Sequence, residues 1–370
     1  MIPFENLEKV NRPNEPALRA AFEEVLCSGR YVLGEQVEAF EEALAAVTGV
    51  PHAVGTGSGY DAITIALRAL GLREGEAIVP ANTCPATVLA VRRSGLVPVL
   101  VDPDPATLLL SPEGFERRHT CRTVAVVPVH QYGLPCDMDA ILSIASRRGI
   151  AVIEDCAQAQ GAEFRGRPVG SFGHAAAFSF YPTKNLGGLG DGGAVLTASS
   201  SVAEEARKLR NYGYGKDGQP EAVGLNSRLD ALQAAFLRAK LPLLPGLVAR
   251  KNALAARYDR ELSPVFRRPV KSPGAEPARH LYPILHPRRD DLRRFLRDRG
   301  IETAIHYPVS PERLAASAGA QGLPCPVAAE CADTIMSLPL SAGLTDDEVR
   351  TVVHSVNRYA EIRGPACTSP

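Results

Sequence analysis

The chain has 370 residues, enough for about two domains with a substantial core, which excludes a structureless tail and a disulfide-stapled mini-protein. Its 41 basic residues balance 41 acidic ones, so no overall field would attract nucleic acid. No apolar run approaches the roughly 20 residues of a membrane-spanning helix, so we expect no membrane partner. The first residues lack the basic and apolar regions of a signal peptide, which predicts a cytoplasmic protein.

Cysteine and lysine usage narrows the possible chemistry. The eight cysteines have no CxxC pair and no metal-type spacing, so we expect no metal site and expect most of them to be small buried side chains. Only seven of the 41 basic residues are lysines, and none lies between Lys9 and Lys184. A reaction that needs a primary amine therefore has few candidates.

Short β-rich runs alternate with segments of helical periodicity between residues 52 and 200. This alternation predicts an α/β fold in which a mostly parallel sheet is flanked by helices. Ligands of such sheets bind at the carboxyl ends of the strands. Seven strands are predicted, at residues 53–54, 76–79, 98–101, 123–127, 151–154, 176–180 and 193–196.

The pattern changes after residue 240. Pro242 and Pro245 are expected to break or kink the chain after a helix at residues 229–240, and the Pro-rich span 264–277 is expected to be a surface loop. We therefore predict a large domain over residues 1–245 and a smaller C-terminal α/β domain over residues 246–370. Further helices are predicted at residues 61–70, 87–94, 138–148, 201–212, 250–262 and 290–299, and a strand at residues 281–285.

A GxGxG sequence at residues 55–59 follows a predicted strand and opens a helix. Glycines let the backbone approach a ligand closely, and the N–H groups and dipole of a helix start favour an anion such as phosphate. The spacing differs from the GxGxxG of a dinucleotide fold, which disfavours a nicotinamide-dependent enzyme. Alone, the motif is a weak signal, and a tight strand-to-helix turn without a ligand is the alternative.

Asp155 ends an almost continuously apolar predicted strand, at the position where ligands bind. Strand alternation points Glu154 the opposite way, so Asp155 is the better candidate to pair with a protonated ring nitrogen or a metal. The alternative is that Asp155 caps a following helix.

Lys184 stands between an aromatic strand and a glycine-rich loop at residues 187–193. Most lysines only solubilise a surface, but burial would lower the pKa of this amine and allow it to attack a carbonyl. The flanking glycines leave room for a planar cofactor. A phosphate-binding loop, a carboxylate and a lone lysine, in this order along one α/β domain, are the parts that a pyridoxal phosphate site needs.

At these residues the sequence resembles the fold-type I, pyridoxal-phosphate-dependent sugar aminotransferases of the DegT/DnrJ/EryC1/StrS family. The resemblance covers nearly the whole chain. Its motifs lie at residues 28–34, 57–62, 80–83, 129–133, 154–158, 179–185, 224–230, 305–308 and 337–340.

The resemblance implies the cofactor pyridoxal 5′-phosphate and a role for the residues around its ring. Lys184 would bind the cofactor covalently and then carry the proton between the amino donor and the cofactor. Asp155 would keep the ring nitrogen protonated, and Gln158 would contact the ring face or its 3′-oxygen. Tyr31, His306 and Tyr307 would lie on the substrate side.

The resemblance also implies how the phosphate is held. Ser179 and the backbone of Gly59 and Tyr60 would bind it. Asn226 would reach the phosphate of the neighbouring subunit, so a homodimer with shared active sites is expected.

Three departures from the family pattern accompany these matches. Cys84 stands where an aromatic residue usually stacks on the ring, so a thiol edge would face the cofactor. Tyr60 stands where the family often has Thr, so only its backbone contact is carried over. The segment 309–313 replaces a His-containing substrate segment, which leaves the acceptor open.

The resemblance implies an enzyme that transfers an amino group from L-glutamate or L-glutamine to a nucleotide-linked 3- or 4-keto-6-deoxyhexose, in amino-sugar or antibiotic biosynthesis. Amination of a keto-cyclitol is the nearest alternative. A non-catalytic regulatory homologue is another, although Lys184, Asp155 and Gln158 are all present. A branch of the family that dehydrates sugars has His at the lysine position, so Lys184 disfavours that reaction.

Overall fold

The structure is a computed structural model that describes residues 1–310, 313–314 and 319–363. The strands of the described residues are β1 (His52–Thr56), β2 (Glu76–Pro80), β3 (Val97–Val101), β4 (Thr123–Val126), β5 (Ala151–Asp155), β6 (Glu163–Phe164), β7 (Arg167–Pro168), β8 (Ala175–Ser179), β9 (Gly193–Thr197), β10 (Ala275–Glu276), β11 (Tyr282–Leu285) and β12 (Ile335–Leu338).

Helices cover the faces of the sheet and build most of the C-terminal third. Those of the described residues are α1 (Leu7–Asn11), α2 (Glu15–Ser28), α3 (Glu35–Thr48), α4 (Gly59–Ala69), α5 (Pro85–Ser94), α6 (Pro112–Arg118), α7 (Met138–Arg148), α8 (Ser200–Leu209), α9 (Ala231–Lys240), α10 (Leu244–Glu261), α11 (Arg289–Arg297), α12 (Pro326–Thr334) and α13 (Asp346–Arg363).

The central sheet has the strand order β1-β9-β8-β5-β4-β2-β3. Strand β9 is antiparallel to both of its neighbours and the remaining pairs are parallel, so the predicted mostly parallel α/β sheet is confirmed. Because β9 is inverted, its first residue, Gly193, pairs with the last residues of β1 and β8, which are Thr56 and Ser179. Three chain segments therefore meet at the carboxyl edge of the sheet.

Two predictions for the C-terminal half need correction. The helix predicted at residues 250–262 begins earlier, at Leu244, because Pro245 lies in its first turn, where the missing proline N–H costs no hydrogen bond. A short 3-10 turn over Leu241–Leu243 separates it from α9. The Pro-rich span is not wholly loop, since β10 lies within it and pairs with β6.

A separate hydrophobic cluster joins the antiparallel pair of β11 and β12 to α10, α11 and α13. It includes Tyr258, Ile284, Val352 and Tyr359, all fully buried. The predicted domain boundary after residue 245 falls in the first turn of α10. The division at that residue stays a prediction.

Four cysteines of the described residues, Cys136, Cys156, Cys325 and Cys331, are buried, and three are not. The expectation that most cysteines are buried is therefore confirmed for that part of the chain. No helix there is both long enough and apolar enough to cross a membrane.

A buried ion pair holds the end of β1 in place. The Glu41 carboxylate, on α3, accepts hydrogen bonds from the Gly55 amide (2.7 Å) and from the Arg210 guanidinium. Arg210 also donates to the Gly55 carbonyl oxygen at 2.8 Å. The backbone N–H and C=O of Gly55, at the start of the glycine-rich turn, are thus both held by side-chain hydrogen bonds.

We expect Arg210→Met to lower the free energy of unfolding by about 3–5 kcal/mol, because it leaves the Glu41 carboxylate buried without its charged partner. Urea denaturation monitored by circular dichroism measures this loss. The matched control is Arg207→Met, since Arg207 lies 3.8 Å from Glu41 but its side chain is 43% exposed. That variant should lose less than about 1 kcal/mol. Equal losses in the two variants would contradict the role assigned to Arg210.

Candidate functional site

The turn between β1 and α4 presents backbone amides at the carboxyl edge of the sheet. Ser58 caps α4 by accepting a hydrogen bond from the Asp61 amide (3.1 Å). The Ser227 hydroxyl accepts from the Gly57 amide (3.0 Å) and donates to the Asp61 carboxylate (2.7 Å). The first amides of a helix have no acceptor within it, so those of Gly59 and Tyr60 can donate to an anion.

Glycine is required at two positions of this turn. A Cβ on Gly59 would lie 2.6 Å from the Ser179 Cβ, and a Cβ on Gly193 would lie 2.4 Å from the Ser58 carbonyl carbon. The turn therefore packs directly on the ends of β8 and β9. This contact brings Ser179 beside Gly59, as expected for two parts of one phosphate site.

Asp155 lies at the end of β5 and is buried. Its carboxylate accepts hydrogen bonds from the Thr87 hydroxyl (2.8 Å) and the Ala157 amide (3.1 Å). Burial raises the pKa of Asp155, and these two donors and the nearby Lys184 amine oppose that effect. A turn follows Asp155 instead of a helix, so the helix-cap alternative is wrong.

Glu154 points to the other face of the sheet, as strand alternation predicted. Its carboxylate accepts hydrogen bonds from His130 Nε2 (3.0 Å) and from the amides of Gly170, Phe172 and Gly173. The other ring nitrogen of His130 accepts from the Cys136 amide. The ligand atoms of His130, Glu154 and Cys156 lie within 4.8 Å of one another. Because the histidine and carboxylate are already bonded to protein groups, this cluster is a structural support.

Lys184 lies in the loop after β8, and burial lowers the pKa of its amine. The Cys84 thiol and the Asp155 carboxylate oppose this effect, which places both groups close to the amine. The structure records no hydrogen bond or ion pair from Nζ to any described residue. The amine is therefore available for reaction.

Gln158 and Tyr307 meet beside this amine, although 149 positions separate them in the chain. Gln158 Nε2 donates to the Tyr307 hydroxyl (3.0 Å), and Gln158 Oε1 accepts from the Tyr132 amide (2.6 Å). Burial, followed by the Cys84 thiol, raises the pKa of Tyr307 well above its ordinary value. The predicted substrate residue Tyr307 thus also contacts Gln158 and Cys84, which were predicted to bind the cofactor.

Two neutral histidines, His306 and His280, lie near Lys184. Burial and then the Lys184 charge lower the pKa of His306 to about 4, and its Nδ1 lies 2.9 Å from the Ser337 hydroxyl. Burial and then the charges of Lys184 and Lys251 lower the pKa of His280 well below its ordinary value.

The sequence analysis did not select His280 or Lys251. Lys251 could have been found from its spacing, because Lys251, Leu254, Ala255 and Tyr258 all lie on the buried face of α10. His280 lies two residues before the apolar strand β11, which is its only signal in the sequence.

Two predicted residues lie away from this cluster, at the surface of the chain. Tyr31 is 49% exposed, and its carbonyl oxygen accepts from the Ala231 amide (2.9 Å). Asn226 is also exposed. Within the divergent segment 309–313, Pro311 and Glu312 lie outside the described residues.

The model of the DegT/DnrJ/EryC1/StrS aminotransferase family matches residues 14–357. The chain belongs to this family. It is 43% identical to the dTDP-3-amino-3,4,6-trideoxy-alpha-D-glucose transaminase of Streptomyces venezuelae over 97% of this chain and 96% of that protein. The crystal structure of S. venezuelae DesV in complex with a ketimine intermediate has a TM-score of 0.94 at 43% identity, over 97% of this chain and 98% of that one.

The structure of NtdA from Bacillus subtilis with bound cofactor PMP has a TM-score of 0.90 at 29% identity, over 97% of this chain and 85% of that one. Family membership makes the chain an aminotransferase that depends on pyridoxal 5′-phosphate, which confirms the predicted fold type, enzyme class and cofactor. Membership of an aminotransferase family disfavours the nicotinamide alternative.

The described residues fit this cofactor. Amides at a helix start beside Ser179 suit a phosphate, a buried carboxylate suits a protonated ring nitrogen, and a half-buried amine with a lowered pKa suits an aldehyde. These three groups lie at one edge of the sheet, at the ends of β1, β5 and β8.

We expect Gly59→Ala to weaken the binding of pyridoxal phosphate by about 5- to 150-fold, since the added methyl group must displace Ser179 at a cost of about 1–3 kcal/mol. Fluorescence titration of the apoprotein with the cofactor measures this change. Gly246→Ala is the control, because a Cβ at that position of α10 meets no atom within 4 Å. Its affinity should match that of the wild type. An unchanged affinity in Gly59→Ala would show that the turn does not hold the phosphate.

Proposed function

We propose that this aminotransferase moves an amino group from L-glutamate or L-glutamine to a nucleotide-linked keto-deoxyhexose, and that Lys184 is its catalytic residue. The observation that carries the proposal is the half-buried Lys184 amine, with a pKa lowered by desolvation, close to Asp155 at the carboxyl edge of the sheet. The 43%-identical relative named as a dTDP-amino-sugar transaminase supports the substrate class.

The chemistry begins at the Lys184 amine. Pyridoxal phosphate supplies an aldehyde and a ring that accepts electrons from the α-carbon of the amino donor. Burial favours the neutral amine, which is the form that attacks an aldehyde. Lys184 would hold the cofactor through this amine, and its Nζ would then take the proton from the α-carbon of the bound amino donor and return it within the site. The same atom moves the proton in the reverse direction when the keto-sugar is aminated.

Asp155 stabilises the charge on the ring. Thr87 and the Ala157 amide orient its carboxylate, and burial removes water that would screen it. Such a carboxylate is ionised when it faces a positive ring nitrogen and keeps that nitrogen protonated. The proton in turn allows the ring to draw electrons from the donor.

Tyr307 contacts both Gln158 and Cys84. The Tyr307 hydroxyl, which accepts the hydrogen bond from Gln158, stays protonated at neutral pH because its pKa is raised. It can therefore donate a hydrogen bond to the ring or the sugar. His306, neutral because its pKa is about 4, can accept or donate to a sugar hydroxyl.

The proposal includes a homodimer in which Asn226 reaches the phosphate bound by the partner. Asn226 is exposed and immediately precedes Ser227, whose hydroxyl accepts the hydrogen bond from the Gly57 amide in the turn. Four large apolar side chains, Phe22, Leu26, Tyr31 and Val32, are at least 45% exposed on α2 and the turn after it. Clustered exposed apolar residues are typical of a surface that another chain covers.

We place the reaction in the cytoplasm. The seven cysteines of the described residues carry free thiols, which is usual in a reducing compartment.

Two half-reactions test the function. L-Glutamate should convert the absorbance of the bound cofactor to that of its amine form, and a nucleotide-linked 3- or 4-keto-6-deoxyhexose should restore it. Restoration by a keto-cyclitol alone would favour the alternative acceptor and contradict the proposed one. Steady-state kinetics should be ping-pong.

We expect Lys184→Ala to lower the rate of each half-reaction at least about 10³-fold, because it removes both the amine and the proton carrier. Borohydride should fix the cofactor covalently to the wild type, as read by peptide mass spectrometry, and not to the variant. Lys271→Ala, at an exposed lysine, is the control and should behave as the wild type. Covalent fixation of the cofactor in Lys184→Ala would contradict the assignment.

We expect subunit mixing to restore activity between two defective variants, Lys184→Ala and Asn226→Ala. Random reassortment makes about half of the dimers mixed, each with one intact site, so about a quarter of wild-type activity should return. Activity is measured before and after unfolding and refolding of the two proteins together. No recovery would show that Asn226 serves its own subunit.

A further inference from the structure

A cavity of about 480 Å³ lies between α11 and the N-terminal segment, outside the group of residues around Lys184. Its walls are one side of α11, the Phe4 side of the N-terminal segment and residues 301–303, which follow α11. This volume is usual for a pocket that binds a small molecule, for which the range is about 300–1,000 Å³. Three of the eight lining residues are arginines, Arg293, Arg294 and Arg297.

The three arginines share one side of α11 because of their spacing. Arg297 lies four residues after Arg293 and three after Arg294, and side chains at these separations are neighbours on a helix. Leu292 and Leu296 are buried in the hydrophobic cluster of the C-terminal third. The amphipathic sequence of α11 therefore buries its leucines and places three guanidinium groups at the cavity.

The two acidic residues of the cavity only partly balance this charge. Asp290 Oδ1 lies 2.6 Å from Nε of Arg289, which is not a lining residue. Glu302 Oε2 accepts a hydrogen bond from the Phe4 amide at 3.1 Å, and the structure records no ion pair from Glu302 to any described residue. Three arginines thus accompany one unpaired carboxylate, which leaves the cavity with a net positive charge.

The arginines keep most of their hydrogen-bond donors for a ligand. Arg293 Nε donates to Thr303 Oγ1 at 3.4 Å, and Arg294 Nη2 lies 3.5 Å from Asp291 Oδ1. Arg297 has no hydrogen bond or ion pair with any residue that the structure describes. A guanidinium group has five N–H donors in a planar fork that fits two oxygens of a phosphate. This donor set therefore suits a phosphorylated ligand.

The cavity borders the substrate side of the Lys184 site. The ring centroid of Phe4 is 5.8 Å from that of His306, which lies near Lys184. Thr303, which lines the cavity, precedes His306 by three residues, so their Cα atoms are at most about 11 Å apart. In a nucleotide-linked keto-sugar, one sugar ring separates the keto carbon from the diphosphate. A keto carbon at Lys184 therefore allows the diphosphate to extend past Phe4 toward the arginines.

We infer that the cavity between α11 and the N-terminal segment binds the diphosphate of the nucleotide-linked acceptor, and that Arg293, Arg294 and Arg297 donate its hydrogen bonds. This inference deepens the proposed function and rests on it. The cofactor would be held at the edge of the large sheet and the nucleotide by α11, so the sugar lies between two separate hydrophobic clusters.

Calorimetric titration of the holoenzyme with dTDP tests this site without turnover. We expect Arg293→Gln and Arg297→Gln each to weaken dTDP binding about tenfold, because each removes charge-assisted hydrogen bonds to phosphate. Arg297→Lys should bind with an affinity between those of Arg297→Gln and the wild type, since it keeps the charge and loses the planar fork. These side chains lie outside the core, so the variants should fold.

The matched control is Arg358→Gln, which removes an exposed arginine of α13 that pairs with Glu361 and does not line the cavity. Its affinity for dTDP should equal that of the wild type. Inorganic phosphate should bind the wild type at least about tenfold more weakly than dTDP, because it engages fewer of the guanidinium groups. Equal affinities for phosphate and dTDP would indicate a site for free phosphate and would overturn the inference.

Wild-type affinity for dTDP in a double variant, Arg293→Gln with Arg297→Gln, would also overturn the inference, as would the absence of dTDP binding to the wild type. Failure of the proposed function has a different signature. In that case no nucleotide-linked keto-sugar would restore the cofactor absorbance of the wild type, whatever the titrations with dTDP show.

Discussion

An ammonium group loses its hydration when it enters a protein interior, and this loss governs the site around Lys184. The neighbouring titratable groups respond to the same burial. Asp155 and Tyr307 have raised pKa values, while those of His280 and His306 are lowered, so each is shifted toward its uncharged form. A positively charged ring would favour the ionised form of Asp155 and so oppose this shift.

The course of the large sheet could be predicted well from the residues. Each of the seven predicted runs is a strand, because short apolar runs bounded by turn residues are typical of buried strands in an α/β chain. The direction of β9 could not be predicted, since its five residues would look the same in a parallel strand. That direction matters most for the site, because it sets Gly193 between Thr56 and Ser179.

The candidate site also has a part that the sequence predicts and a part that it does not. Lys184, Asp155 and the glycine turn follow single strands of the sheet, so the rule that ligands bind at carboxyl ends was enough to group them. The contact between Gln158 and Tyr307 depends on how the C-terminal segment packs on the sheet, and no local pattern encodes this. The same packing makes the Tyr307 hydroxyl a neighbour of Cys84. An aromatic ring thus lies near the thiol that replaces the usual stacking residue, although it comes from a distant part of the chain.

The turn that presents Gly59 is rigid before any ligand arrives. Glu41 and Arg210 fix both polar groups of Gly55, and Ser227 fixes Gly57. In the aminated half of a transamination cycle no covalent bond tethers the cofactor to the chain, so its residence time depends on non-covalent contacts alone. A turn that already has its ligand-binding conformation loses little conformational entropy when it binds the phosphate. Retention of the cofactor between the two half-reactions would then depend on Glu41, Arg210 and Ser227, which hold the turn but do not themselves touch the cofactor.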